Sequence, residues 1–139
     1  HAPAPELPSL HALTVLVVDD DPLVLMNTGA MLEDLGHEVL EATSGEQALR
    51  VLRRAESIDL VITDQMMPGM TGVQLIDALK AERADLPVIL ASGYAELPED
   101  RLTGIVRLGK PFEQVDLARA LVTSLRPEAE IVPFRPKRS

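Results

Sequence analysis

Three runs of β-forming apolar residues constrain this chain more than any other feature: Leu13-Thr14-Val15-Leu16-Val17-Val18, Leu60-Val61-Ile62-Thr63 and Val88-Ile89-Leu90-Ala91. None shows the polar alternation of a half-solvated strand, so each needs cover on both faces, the condition met in a parallel sheet. Each run also stops at a polar residue: Asp19-Asp20 after the first, Asp64 after the second, Ser92 after the third. In open α/β sheets, ligands bind at the carboxyl ends of the strands, so these stops are candidate chemistry.

Helical patterns separate the runs. Asp21-Pro22 reads as an N-cap with proline at the first helical position, followed by Val24, Thr28, Met31, Leu32 and Leu35 at helical spacing and a stop at Gly36. Residues 37–42 form a short, partly alternating segment suited to an edge strand. Ser44 to Gln47 reads as a capping box before Ala48, Leu49, Leu52 and Ala55, and Thr71 to Gln74 opens a second such helix carrying Val73, Ile76 and Leu79 inward. After Ser92 the rhythm weakens, and Pro98 among few apolar residues allows only a short fourth helix in 94–103. Residues 104–108 make a brief fifth strand ending at Gly109-Lys110-Pro111, and Phe112 opens a last helix with Val115, Ala118, Leu121, Val122 and Leu125 as its stripe. Five strands alternating with helices predict an α/β, doubly wound parallel sheet, since right-handed crossovers place helices on both faces.

The ends differ from the middle. Six of the eleven prolines lie in residues 1–12 and 126–139, which predicts a Pro-rich tail or linker, a folded domain over 13–125, and a Pro-containing basic tail. The chain begins at His1 rather than Met, as a processed chain or a piece of a longer one would. Net charge is −9, and removing Glu6 and the four basic against two acidic residues after Leu125 leaves the middle at about −10. An acidic domain repels polyphosphate backbones, which argues against direct nucleic-acid binding. Cysteine is absent, so thiolate metal sites and disulfides are excluded. No apolar run approaches the roughly 20 residues needed to cross a bilayer, so the expectation is a cytoplasmic domain without membrane contact.

In the flavodoxin-like strand order 2-1-3-4-5, the third strand lies between the first and fourth. Asp19 and Asp20 then stand on one side of Asp64, with Ser92 and Lys110 on the other. Three crowded carboxylates repel unless a cation joins them, and hard oxygen ligands suit Mg²⁺. Lys110 adds an ammonium, Ser92 a hydroxyl, and Asp64 a carboxylate able to attack phosphorus, so the set describes a site for a phosphoryl group. Taken singly, each signal has an ordinary explanation: aspartates cap helices, Asp before Pro-Gly forms turns, and a lysine beside proline is a solvated charge. Four such accidents at the ends of neighbouring strands are a poor alternative.

With Asp19-Asp20, Asp64 and Met67-Pro68-Gly69, Ser92, and Lys110-Pro111 in that order, the chain resembles the response-regulator receiver domains of two-component signalling over about residues 13–125. The resemblance implies a flavodoxin-like (βα)5 fold, Asp64 as phosphoacceptor, and Asp19, Asp20, Asp64 and the backbone carbonyl of Met66 as the Mg²⁺ site. It further implies that Ser92 binds a phosphoryl oxygen and that Lys110 pairs with the phosphoryl group, aimed by a bond before Pro111 that is often cis in the family. The implied partner is a histidine kinase or histidine phosphotransfer protein, which supplies the phosphoryl group from a phosphohistidine.

Two departures stand out. Receivers of the common output type carry an aromatic switch residue three positions before the lysine, and here that residue is Arg107. The interval from Ser92 to Lys110 is also short. Activation is therefore expected to avoid the usual aromatic rotation, with Tyr94 taking part of the switching role, and a homodimer, if one forms, to avoid the usual face. Ala91-Ser92-Gly93-Tyr94 resembles receivers of hybrid histidine kinases and some stand-alone regulators. The resemblance further implies that the residues two positions after the phosphoacceptor and two after the hydroxyl residue, here Met66 and Tyr94, flank the path of hydrolytic water, which predicts slow self-dephosphorylation. Two rival readings are a receiver-fold interaction module that is never phosphorylated and a Mg²⁺-dependent phosphohydrolase. The latter commonly needs a second acid two residues after the nucleophile, where Met66 stands.

Overall fold

Five parallel strands, β1 (Thr14–Val18), β2 (Glu38–Ala42), β3 (Leu60–Asp64), β4 (Val88–Ser92) and β5 (Val106–Gly109), form one sheet in a computed structural model that describes residues 11–55, 57–93 and 105–125. Their order is β2-β1-β3-β4-β5, the flavodoxin-like arrangement expected, with the partly alternating β2 at one edge. Among the described residues four helices accompany them: α1 (Pro22–Asp34), α2 (Gly45–Arg54), α3 (Gly72–Glu82) and α4 (Gln114–Leu125). The expected short helix in 94–103, Tyr94, most of the N-terminal tail and the whole C-terminal tail lie outside the described residues.

The apolar runs have two buried faces because the sheet separates two cores. On one side Leu16, Val18, Val61, Val88 and Leu90 pack under α2 and α3. On the other, Val15, Val17, Leu60, Ile62 and Ile89 pack under α1 and α4. Residues such as Leu16, Leu52, Leu60, Leu90 and Leu117 are almost wholly buried, and each such side chain contributes about 1.5–3 kcal/mol of transfer free energy. The strand ends, where the polar residues sit, are thereby mounted on a rigid sheet.

Local signals set the helix starts. Asp21 caps α1 by accepting the Leu23 N–H, with Pro22 in the first turn, and Gly36 leaves the helix at φ +99°. Thr71 and Gln74 form a reciprocal capping box on α3. The box expected on α2 is only half made. Ser44 accepts from Gln47 N–H, but the Gln47 amide oxygen turns to the backbone and hydroxyl of Thr43 instead.

Two expectations need correction. The last helix opens at Gln114 rather than Phe112, because Asp116 accepts the Glu113 N–H and the Glu113 carbonyl takes the first helical bond, from Leu117. Phe112 packs half-buried against the core before the helix starts. In addition, Leu25 and Gly29 on α1, and Leu117 and Ala120 on α4, are buried where Val24, Val115 and Val122 were expected to be; these valines are half-buried. On α2 and α3 the expected Ala48, Leu52, Val73, Ile76 and Leu79 are buried, so the difference is confined to α1 and α4.

Candidate functional site

β1 ends at Val18 and passes directly to Asp19, whose N–H is held by the Ala42 carbonyl of β2 at 3.1 Å. The Asp19 carboxylate accepts the Asp21 N–H at 2.9 Å, so the start of α1 and the buried acid brace each other. Asp20 between them is exposed. On β3, register places Asp64 opposite Ala91 of β4, and on β4, Ser92 stands opposite Gly109 of β5. Parallel pairing therefore brings the three polar stops to one edge of the sheet.

Carboxylate oxygens of Asp19, Asp20 and Asp64 lie within 4.8 Å of one another. Lys110 Nζ is 2.5 Å from Asp64 Oδ1 and 3.8 Å from Asp19 Oδ2. The Lys110 N–H donates to the Ser92 carbonyl at 3.0 Å, and the Lys110–Pro111 bond is cis. Burial, above all, pushes the Asp19 carboxyl up from its ordinary range. The Asp21 N–H opposes that shift, Asp64 adds to it, Lys110 opposes it and Asp20 adds to it. A cation near this cluster is thus favoured twice, by relieving the repulsion and by compensating a charge removed from water.

The donors fit magnesium: three carboxylates from two strand ends, no nitrogen or sulfur ligand in the cluster among the described residues, and an exposed side at Asp20 from which waters would complete the shell. The Ser92 hydroxyl is buried and has no hydrogen-bond partner among the described residues. The Met66 side chain is exposed. Arg107 is exposed on β5, opposite Leu90, where the aromatic switch would stand.

Sequence reasoning missed the brace behind Asp64. Gln65 is buried and spans the gap between β3 and α3: its N–H donates to the Ala91 carbonyl, its carbonyl accepts from Gly72 N–H, and its side-chain oxygen accepts from Val73 N–H at 2.9 Å. Gly72 is required there, because a Cβ would lie 2.4 Å from the Asp64 carbonyl oxygen. Gly69 makes the intervening turn at φ +85°. The available signal was a buried-strand run followed by glutamine and a glycine directly after a helix cap.

The sequence matches the family profile of the response regulator receiver domain over residues 15–121. It is 39% identical over 105 residues to a gliding motility regulatory protein of Myxococcus xanthus, covering 74% of this chain and 13% of that protein. It is 38% identical over 112 residues to the sensor kinase CckA of Brucella abortus, covering 76% of this chain and 12% of that protein. The chain thus spans about an eighth of the length of these relatives. Among solved structures, the response regulator protein TrrA of Thermotoga maritima, in complex with Mg²⁺ and beryllofluoride, superposes with a TM-score of 0.75 at 28% identity, covering 81% of this chain and 99% of that one.

Proposed function

The chain belongs to the response-regulator receiver domains of two-component systems, and from that premise we propose that Asp64 is its phosphoacceptor, taking a phosphoryl group from a phosphohistidine. The observation that carries this reading is the meeting of Asp64, Lys110, Asp19 and Asp20 at one sheet edge. In the transfer, an Asp64 carboxylate oxygen forms a bond to phosphorus while the phosphorus–nitrogen bond breaks. Its electron pair leaves on the imidazole, which then takes up a proton. Lys110, already beside that carboxylate, follows the charge onto a phosphoryl oxygen, and the Ser92 hydroxyl donates to another. Magnesium held by Asp19, Asp20, Asp64 and the Met66 carbonyl would supply neutralisation of phosphoryl charge.

On this reading the domain is a substrate of its partner kinase or phosphotransfer protein that assists its own phosphorylation, not a separate catalyst. It changes conformational population when modified. The reading extends to a cytoplasmic setting without nucleic-acid or membrane contact, and it covers both a stand-alone regulator and the receiver of a hybrid kinase. The similarity to a sensor kinase supports the second arrangement.

Exposure to acetyl phosphate with Mg²⁺, followed by intact-mass measurement, tests it. Wild type gains one phosphoryl group and Asp64→Ala gains none. A wild type that never gains the mass, or an Asp64→Ala variant that does, refutes the assignment.

A further inference from the structure

Arg107 occupies β5 opposite Leu90, one residue before Leu108, which pairs with Ala91, which in turn pairs with Asp64. Two strand spacings of about 4.8 Å and one residue step of about 3.3 Å separate the Arg107 and Asp64 backbones by roughly 10 Å, a gap that an extended arginine side chain and a phosphoryl group on Asp64 together span. Alternation along β5 and β4 places Arg107, Gly109 and Ser92 on one face of the sheet and Leu108 on the other, while Lys110, just past the strand, reaches Asp64. Among the described residues, a Cβ at Gly109, between Arg107 and the sheet end, would meet no atom within 4 Å. Ser92, Gly93, Arg107, Gly109 and Lys110 line an open groove of about 440 Å³. Its lining has the exposed Arg107, a buried hydroxyl without a partner and no acid among the described residues, with Lys110 at its border engaged by Asp64, which suits an anion.

We propose that Arg107 is a second cationic ligand of the phosphoryl group, closing along Gly109 onto the oxygen that Ser92 holds, on the face opposite Lys110. The inference rests on Asp64 being the phosphoacceptor. A guanidinium presents a planar fork of donors that matches phosphoryl oxygens and stays charged at any working pH. The pull on Arg107 appears only when the extra negative charge arrives. Its movement therefore couples modification to the exposed edge of the sheet by electrostatics, where an aromatic residue would couple it by packing.

Beryllofluoride with Mg²⁺, a stable stand-in for the phosphoryl group, is the probe. Arg107→Ala is expected to weaken beryllofluoride binding about tenfold or more, the effect of removing one charge-assisted hydrogen bond. Arg107→Lys should recover part of the loss, while Mg²⁺ binding without the anion should be no weaker than in wild type. The Arg107 Nε–H resonance of wild type should shift when the anion is added. Because Arg107 is exposed, these variants keep the fold, which circular dichroism verifies. Beryllofluoride affinity within twofold of wild type in Arg107→Ala, or an Nε–H resonance that does not move, overturns the inference and leaves the role of Asp64 intact. A wild type that binds no beryllofluoride overturns both.

Discussion

Replacing Gly72 by alanine tests whether the acceptor position depends on the brace between β3 and α3. The added Cβ would lie 2.4 Å from the Asp64 carbonyl oxygen, 2.7 Å from Leu90 Cδ1 and 2.9 Å from Gln65 Cα, against ordinary contacts of 3.4–4 Å. Two of these neighbours are backbone and cannot turn aside, and Leu90 is fully buried. The segment bearing Asp64 must therefore shift by about 1 Å, on the order of the misplacement that lowers a rate about a hundredfold when reacting groups must be aligned. Overpacking costs about 1–3 kcal/mol, and the loss of unfolded-chain freedom on going from glycine to alanine returns about 0.4–1 kcal/mol. The net destabilisation of about 1–2 kcal/mol corresponds to a Tm lower by roughly 4–10 °C for a domain of this size. Thermal denaturation reads the first effect, and the rate of mass gain from acetyl phosphate reads the second. Gly109→Ala, whose Cβ meets nothing within 4 Å among the described residues, is the stability control and should leave Tm in place. A Gly72→Ala protein with wild-type Tm and wild-type phosphorylation rate would refute the idea that close helix-to-strand packing holds Asp64.

Magnesium at a hundredfold excess over its Kd should add about 2.7 kcal/mol to wild-type stability, seen as a rise in Tm. In Asp19→Asn most of that rise should vanish while the metal-free variant is at least as stable as wild type, because burial and Asp64 both disfavour the Asp19 charge; an undiminished rise would exclude Asp19 from the metal site. His37 is buried and its Nδ1 accepts the Leu13 N–H at 3.1 Å. Burial first, and the nearby His11 second, hold its pKa below 6.5. The unfolded chain then binds the proton more readily, so His37's contribution to stability is full above pH 6.5 and declines as pH falls toward the folded-state pKa. Urea midpoints measured from pH 8 to pH 5 should show this decline, and it should be shallower in His37→Gln; equal slopes in the two proteins would remove His37 as the cause.

Most of the fold was legible because its determinants are local. Uninterrupted β-runs demand two-sided burial, and Asp21-Pro22 and Thr71 to Gln74 specify helix starts through hydrogen bonds within a few residues. The order of Asp19-Asp20, Asp64, Ser92 and Lys110 pointed to one end of the sheet before any distance was known, since each lies where a strand must end. What the local pattern could not carry was orientation. Leu25 rather than Val24, and Leu117 rather than Val115, are fully buried because the side of a helix that meets the sheet depends on partners distant in sequence. Gln65 and Gly72 likewise have meaning only once β3, β4 and α3 are packed together, when one backbone carbonyl comes too near for any Cβ and one amide side chain is needed to hold three segments. The residues able to do chemistry were thus written in the chain. Their separation, the pairing of Lys110 with Asp64, and the open groove beside Arg107 were decided by the sheet register, which fixes which strand ends stand side by side.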